Sequence, residues 1–306
     1  MAMPRPILIL AALLCVVQIS FLARRAAGTG KTSQLTVFWG RHKDEGSLRE
    51  ACDSGMYTAV IVSFLNIVSG HDNAKYNYNL DLSGHPLAGI GDDIKHCQIT
   101  GVPVSLSLRG AGALPTNQSA LHLSDHLWFS YLSGFQKGVR RPFGDAKLDG
   151  VDFFLDHGKE EEEYYGVLAK DLQAKRRQSP AGTTKPLQLT ATPGCALLTA
   201  GRALAAAGIT LERIHVRFYG DASCSGGAWV EDAWGKWAAA YRRPGSRIYL
   251  GLTASGKTED GYLYPKELYY GVIPEVQKAA NYGGVMLWDR YYDKRNEYSS
   301  YVKYWA

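Results

Sequence analysis

Short apolar runs alternate with longer amphipathic stretches along most of this chain. Continuous runs rich in Val, Ile, Leu, Phe and Tyr are typical of strands buried in a parallel sheet. Eight runs predict such strands: Leu35–Trp39, Tyr57–Phe64, Val102–Leu108, Gly150–Asp156, Leu187–Thr192, Ile214–Tyr219, Ile248–Thr253 and Gly284–Trp288. The stretches between them predict helices: Ser47–Gly55, Pro86–Thr100, Ser119–Gly138, Glu161–Lys175, Thr199–Ala207 and Trp234–Tyr241.

Eightfold strand–helix alternation predicts the fold class, a single (β/α)8 TIM barrel of the α/β class. A doubly wound open sheet is the alternative. That fold usually carries a Gly-rich nucleotide loop after its first strand, and Gly40-Arg41-His42-Lys43 lacks the required spacing. We therefore expect a closed barrel.

The first 28 residues have the pattern of a secretory signal peptide. Arg5 precedes the apolar run Ile7–Ala23, and the small residues Ala26–Gly28 follow it. A signal anchor is the alternative, but the run is short and is interrupted by two polar residues. We predict cleavage after Gly28, one domain over residues 29–306, and a secreted, extracellular protein with no membrane association after cleavage.

Charge argues against a nucleic-acid partner. The full chain carries 34 basic and 29 acidic residues. The predicted signal peptide holds three of the arginines, so the mature chain would have 31 basic residues against 29 acidic ones, close to neutral. A nearly neutral chain has little long-range attraction for polyanions.

Four cysteines remain after signal removal, and an even number in a secreted chain predicts two disulfides. Three connectivities are possible. In the predicted barrel, Cys52 and Cys97 would lie on neighbouring helices, and Cys195 and Cys224 in neighbouring loops. The pairs Cys52–Cys97 and Cys195–Cys224 would distort the backbone least. Zinc is the alternative, but no pair has C-x-x-C spacing, and we expect neither a metal nor another cofactor.

Candidate site residues converge on one rim of the predicted barrel. Asp152, Phe154 and Asp156 share one face of their strand, because alternate residues of a strand point the same way. Buried acids are costly unless they have partners or a function. Asp156, Tyr219, Trp288 and Asp289 lie at carboxyl ends of strands, where barrel active sites form. This pattern favours a carbohydrate cleft; for each residue alone, a satisfied core position is the alternative.

Asp149–Asp156, with the sequence DGVDFFLD, resembles the D-G-x-D-x-D-x-E signature of glycoside hydrolase family 18. The chain is similar to plant class III chitinases and, more closely, to the xylanase-inhibitor branch. The resemblance covers nearly the whole mature chain. It includes Val37–Gly40, Gly46–Cys52, Asp81–His85, Asp93–Cys97, Arg141–Asp145 and Tyr282–Arg290.

The resemblance implies a damaged catalytic site. The family uses a glutamic acid to protonate the leaving oxygen and an aspartate two residues earlier to steady the substrate's N-acetyl group, outside the usual two-carboxylate scheme. Asp156 replaces the glutamic acid and Phe154 the aspartate, while Asp152, Tyr219 and Trp288 match. Loss of an electrostatic stabiliser costs ~10²–10³ in rate, and a misplacement of about 1 Å costs ~10².

Two further departures concern the same cleft. Arg109 occupies a position where the family has glycine, and Arg217 replaces a glutamine that is usual in the chitinases. The resemblance therefore implies an inhibitor of microbial endo-1,4-β-xylanases. A weakly active chitinase with an aspartic acid donor and a lectin-like protein that binds chitin or xylan oligosaccharides remain alternatives.

In the family, a loop between helix four and strand five and a helix after strand six enter xylanase clefts. The corresponding loop is Lys175–Lys185, and the resemblance implies Arg176 or Arg177 as the group that enters a xylanase cleft. Lys236 corresponds to the family's second contact lysine. The expected partners are family 11 xylanases, with family 10 enzymes as a further candidate. A solvated basic loop is the alternative. We further expect a monomer, glycosylated at the sequon Asn117-Gln118-Ser119.

Overall fold

A computed structural model describes residues 30–68, 76–110, 114–156, 163–180, 182, 186–198, 204, 208–224, 227–242, 244–256 and 260–306. The predicted signal peptide lies outside these residues. The predicted helix Thr199–Ala207 also lies almost wholly outside them.

Nine strands form one sheet. Their bounds are β1 Leu35–Trp39, β2 Ala59–Val68, β3 Asn77–Leu80, β4 Val104–Arg109, β5 Gly150–Leu155, β6 Gln188–Pro193, β7 Arg213–Arg217, β8 Arg247–Thr253 and β9 Tyr282–Trp288. Each of the eight predicted strands is present, with its ends displaced by a few residues or fewer. The burial of β1, β5 and most of β8 on both faces agrees with their continuous apolar sequences.

The sheet closes into a parallel barrel. Neighbouring strands pair in the order β1, β2, β4, β5, β6, β7, β8, β9, and β9 pairs with β1. The predicted TIM barrel is therefore confirmed. Because every barrel strand runs in one direction, the carboxyl ends of the strands meet at a single rim.

Helices follow most of the strands on the outside. They are α1 Leu48–Asp53, α2 Ile90–Ile99, α3 Asn117–Ser130, α4 Glu163–Gln178, α5 Gly227–Ala240, α6 Pro265–Glu267, α7 Ile273–Val276, α8 Arg290–Asn296 and α9 Tyr298–Val302. A π-helical turn, Leu268–Val272, joins α6 to α7. Among the described residues, no helix has the length and apolar character needed to cross a membrane.

Strand β3 was not predicted. It pairs antiparallel with the last four residues of β2, Leu65–Val68. It is the one strand of the sheet that is not part of the closed barrel. Its sequence, Asn-Tyr-Asn-Leu, is short and half exposed, so it lacks the continuous apolar character of the barrel strands. Two asparagines in four residues are also unusual in strands, which explains why the apolar pattern gave no sign of it.

Both predicted disulfides are present. Cys52 of α1 bonds to Cys97 of α2, and their Cα atoms are 5.5 Å apart. Cys195 and Cys224 join the loops that follow β6 and β7, with a Cα separation of 6.0 Å. The first bridge therefore ties neighbouring helices, and the second stabilises the rim at the carboxyl ends of the strands.

Candidate functional site

Strand β5 carries the three signature positions on its inner face. A side chain at Gly150 would collide with the carbonyl of Gln188 on β6, so only glycine allows the two strands to approach this closely. Outward-facing Phe153 packs against Tyr165 of α4, with ring centroids 4.9 Å apart. The alternation predicted from the sequence is therefore confirmed, and Asp152, Phe154 and Asp156 project inward at successive levels.

Asp152 is a buried structural acceptor at the lowest level. Its carboxylate accepts hydrogen bonds from the hydroxyls of Ser107 at 2.8 Å, Thr190 at 2.7 Å and Thr192 at 2.9 Å. Nδ1 of His215 lies 3.7 Å away, and burial lowers the pKa of this imidazole although Asp152 opposes the shift. These partners offset the cost of desolvating a carboxylate.

Phe154 belongs to an aromatic cluster that fills the middle level. Its ring centroid lies 5.0 Å from that of Phe64, 5.9 Å from that of Phe38 and 5.9 Å from that of Trp288. The cluster is separate from the main core between barrel and helices. At this level the inward face of β5 therefore offers an apolar ring and no hydrogen-bond acceptor.

Asp156 lies immediately after β5, at the rim. Its Oδ2 accepts a hydrogen bond from Nε of Arg109 at 2.7 Å. Nη2 of Arg217 lies 3.4 Å from Oδ1 and also donates to the carbonyl of Leu155 at 2.6 Å. The Arg217 guanidinium covers the Phe154 ring, 4.2 Å from its centroid. In this arrangement both Asp156 oxygens face guanidinium donors.

Tyr219 and Trp288 reach the same cleft from the other side. Tyr219 lies two residues beyond the end of β7, Trp288 ends β9, and their rings stack with centroids 6.5 Å apart. Tyr219 is buried and Trp288 is half-buried. The structure therefore brings together all five residues predicted for the relict catalytic site: Asp152, Phe154, Asp156, Tyr219 and Trp288.

A second group of ionisable side chains borders the cleft near the end of β1. Glu45 is fully buried; its Oε1 accepts from the backbone of Gly40 and His42 and lies 3.1 Å from Nε2 of His85. Buried Asp289 caps α8, and its pKa is raised to about 7 by burial and then by Glu45. The sequence pattern predicted Asp289 at this rim but not Glu45, because Glu45 stands in a short polar segment with no strand signal.

Arg176 and Arg177 are placed differently from the prediction. They were expected in a loop, but α4 continues to Gln178, so both lie in its last turn. Barrel helices run opposite to the strands, which puts this turn at the end of the barrel away from the cleft. Both side chains are exposed, and neither makes a hydrogen bond or ion pair within the described part of the chain. Of the remaining residues of the predicted loop, 181–185, only residue 182 is described.

Lys236 lies on α5 as predicted. The side chain is 63% exposed and forms an ion pair of 2.7 Å with Asp232, one turn earlier. On the inner side of this helix, Nε1 of Trp237 donates to the carbonyl of Cys195 at 2.9 Å. Trp234 and Trp237 are buried core residues, and the Cys195–Cys224 bridge supports the helix that carries Lys236.

Asn117 was expected on a loop but is the first residue of α3. Its side chain is exposed. The sequon residue Ser119 is buried and forms a capping box with Thr116. Glycosylation of Asn117 stays a prediction.

The geometry defines a barrel of the chitinase-like class, with a cleft at the carboxyl ends of its strands. No protein-family model matches the chain. Xylanase inhibitor protein 1 of Triticum aestivum is 54% identical over 100% of this chain and 99% of that protein. The acidic endochitinase SE2 of Beta vulgaris is 32% identical over 93% of this chain and 95% of that enzyme.

Solved structures agree with this relationship. The xylanase and alpha-amylase inhibitor protein from Scadoxus multiflorus superposes with a TM-score of 0.76, at 32% identity, over 88% of this chain and 97% of that chain. The chain therefore belongs to the xylanase inhibitor protein family, a branch of the glycoside hydrolase family 18 chitinase-like barrels. The predicted resemblance is confirmed.

Proposed function

We propose that this protein is a secreted inhibitor of microbial endo-1,4-β-xylanases and has no hydrolytic activity of its own. The observation that carries the proposal is the 54% identity, over the whole chain, to a xylanase inhibitor protein. The side chains in the cleft support the proposed absence of hydrolytic activity.

Two features of the cleft argue against hydrolysis. Phe154 cannot accept a hydrogen bond from an N-acetyl group or balance the positive charge that develops in substrate-assisted cleavage. Asp156, the counterpart of the family's proton donor, is held by Arg109 and Arg217, and it is shorter than glutamate by one methylene. Loss of electrostatic stabilisation and misplacement of the donor each reduce the rate by ~10² or more.

Chitin oligosaccharide hydrolysis tests the absence of activity. We expect no product from the wild-type protein. The triple variant Arg109→Gly, Phe154→Asp, Asp156→Glu restores the family's groups and should gain measurable turnover. Wild-type turnover that Asp156→Ala abolishes would show instead that the protein is an active glycosidase.

The last turn of α4 is the proposed contact with family 11 xylanases. A retaining xylanase presents two carboxylates about 5–5.5 Å apart. A guanidinium is a planar fork of donors that can bridge such a pair. Arg176 and Arg177 are exposed and keep their donors available, whereas neighbouring Lys175 is already paired with Asp125 and Asp171.

Lys236 is the proposed contact with family 10 xylanases. Its ammonium group is held by Asp232 on the exposed face of α5. An exposed pair of this kind contributes little to stability, so exchanging Asp232 for a carboxylate of the enzyme costs little. Gly235 precedes it, and a side chain there would meet no atom within 4 Å, so the helix surface beside Lys236 is open.

Inhibition assays test these contacts. Purified protein should inhibit a family 11 xylanase, and Arg176→Ala with Arg177→Ala should weaken that inhibition by at least tenfold, since a charge-assisted bond contributes about 1.5–3 kcal/mol. Lys236→Ala should weaken inhibition of a family 10 xylanase. Matched controls are Arg140→Ala, at another exposed arginine, and Lys278→Ala, at an exposed lysine that is also paired within a turn. Full activity of both xylanases at micromolar excess of wild type would refute the function.

The stacked pair Tyr219 and Trp288 favours a second candidate, binding of a chitin or xylan oligosaccharide in the cleft. Half-buried Trp288 offers an aromatic face there. Calorimetry should detect binding that Trp288→Ala abolishes. Measurable binding without xylanase inhibition would favour a lectin-like protein over an inhibitor.

Secretion rests on the amino-terminal pattern. N-terminal sequencing of protein from the medium of an expressing plant cell culture should find Thr29 as the first residue. Retention in the membrane fraction would indicate a signal anchor.

A further inference from the structure

A line of aromatic side chains lies on the outer wall of the barrel, on residues that belong neither to the cleft nor to the proposed xylanase contacts. We name this line the aromatic stripe. It comprises Tyr262, Tyr264, Tyr269, Tyr301, Tyr304 and Trp305. The first three come from the segment leading through α6 into the π-helical turn, and the last three from α9 and the chain terminus.

The rings of the stripe are in contact within two groups. Centroids are 5.1 Å apart for Tyr304 and Trp305, 5.4 Å for Trp305 and Tyr269, and 5.2 Å for Tyr262 and Tyr264. Tyr301 is exposed on α9, three residues before Tyr304.

The stripe runs along the wall of the barrel. The backbone of Thr32 donates to the carbonyl of Ala306, which puts the residues after α9 beside the start of β1. Tyr264 precedes α6, on the side where β8 ends. Tyr269, five residues after Tyr264, contacts Trp305 and so links the two segments.

The exposure of these rings is unusual. Eight large apolar or aromatic side chains are exposed in the described part of the chain, and four of them belong to the stripe: Tyr264, Tyr301, Tyr304 and Trp305. Exposed contiguous apolar surface commonly marks a binding site. Stable protein partners generally need a broad patch of about 800 Å² on each side, whereas a narrow line of rings matches an extended linear ligand.

The chemistry of the rings favours a polysaccharide. The flat faces of pyranose rings carry C–H groups that pack on aromatic faces, and their edges carry hydroxyls. Tyr and Trp each combine an apolar face with a polar edge group, so both parts of a sugar find a partner. An aliphatic side chain would pack well against protein but could not pair with sugar hydroxyls. The stripe consists of tyrosines and a tryptophan, which can do both.

The charges beside the stripe are mainly positive. Nζ of Lys31 lies 4.0 Å from the Tyr304 centroid and 4.7 Å from that of Trp305. Lys266 lies in α6, and Lys303 precedes Tyr304 and donates to the carbonyl of Met56 at 2.7 Å. Within the described residues none of these three lysines forms an ion pair. Asp260 and Glu267 are the acids nearest to the stripe in sequence. A polymer with occasional carboxylates therefore complements this surface better than a neutral one.

We propose that the aromatic stripe binds a weakly acidic β-1,4-linked polysaccharide, the class represented by xylan with uronic acid substituents. This inference deepens the proposed function, because it would hold the inhibitor on the polymer that xylanases attack. None of the proposed xylanase contacts belongs to the stripe, so the two proposed sites share no residue.

Co-sedimentation with insoluble glucuronoxylan tests the proposal. Wild-type protein should be retained, and Tyr304→Ala with Trp305→Ala should weaken retention about tenfold, as expected for two lost ring contacts. Phe135→Ala removes a ring that is 85% exposed but lies outside the stripe, and should change nothing. Tyr304→Ala alone and Tyr264→Ala are milder variants if the double variant does not fold.

Two further measurements separate the contribution of charge from that of the rings, and polymer binding from xylanase inhibition. Lys31→Gln should weaken retention on glucuronoxylan but leave retention on the same xylan unchanged after its carboxyls have been reduced. Xylanase inhibition is measured on a soluble substrate with every variant. Polymer binding without inhibition would refute the proposed function and leave the stripe proposal intact.

Equal retention of wild type and the double variant would overturn the proposal, as would no retention of wild type. So would a wild-type dimer in sedimentation velocity that the double variant abolishes, because the stripe would then be a self-association surface.

Discussion

Three inward residues of one strand have three different environments. Asp152 accepts hydrogen bonds from hydroxyls, Phe154 packs among aromatic rings, and Asp156 pairs with two arginines. Alternate residues of one strand therefore take part in a buried polar network, an aromatic cluster and an ion pair at the rim. Asp152 has a structural role, because its carboxylate is the shared acceptor of three hydroxyls.

Asp152→Asn should lower the free energy of unfolding by roughly 1–3 kcal/mol. The amide can accept at one oxygen, so part of the hydroxyl network from Ser107, Thr190 and Thr192 loses its acceptor. Urea denaturation measures the change, with exposed Asp125→Asn as control. Inhibition of xylanases should be unaffected; its loss in a folded variant would contradict the structural role.

Asp289→Asn should reduce the loss of stability with rising pH. The pKa of Asp289 is raised from 3.8 to about 7, first by burial and then by Glu45. The folded protein therefore binds this proton more tightly than the unfolded chain, so the stabilisation is complete below about pH 4 and is lost as the pH rises to about 7. Asparagine retains the helix cap without titrating.

Melting temperatures at pH 4.5 and 7.5 measure this effect. The wild type should lose more stability between the two values than Asp289→Asn does, while Asp44→Asn, at an exposed acid, should follow the wild type. Parallel pH profiles for wild type and Asp289→Asn would show that the Asp289 carboxyl does not titrate in this interval.

At the scale of elements, the two disulfides have different consequences. Each closes a loop, of 45 residues for Cys52–Cys97 and 29 for Cys195–Cys224. The loop-entropy relation gives roughly 4 kcal/mol for either. Only the second supports α5, through the bond from Trp237 to the carbonyl of Cys195.

Replacing each cysteine pair by serines should therefore separate stability from inhibition. Both double variants should melt at lower temperature. Below melting, loss of Cys195–Cys224 should weaken the family 10 inhibition assigned to Lys236, and loss of Cys52–Cys97 should leave it unchanged. Equal inhibition by the two variants would show that the rim bridge does not position α5.

At the scale of the whole molecule, the proposed contacts lie on separate elements. Arg176 and Arg177 end α4 at one end of the barrel, and Lys236 lies in the second half of α5. Sites that share no partners act additively within about 0.3–0.5 kcal/mol.

The combined variant Arg176→Ala, Arg177→Ala, Lys236→Ala should consequently inhibit family 11 xylanases as weakly as the double arginine variant does. It should inhibit family 10 xylanases as weakly as Lys236→Ala does. Inhibition constants for both families measure this. A combined loss much larger than either parent's would place the three residues in one shared contact surface.

The sequence by itself determined the barrel, the disulfide pairing and the identity of the cleft residues. These properties depend on local periodicity and on the neighbour relations that a closed parallel barrel imposes, so the spacing of apolar runs was sufficient. Only the tertiary structure decided the partners of each site residue. Arg109 and Arg217 meet at Asp156, Glu45 meets Asp289, and Tyr304 meets Tyr269 through Trp305, although each set comes from distant parts of the chain. Long side chains reach such contacts through packing and charge pairing, which periodicity does not encode.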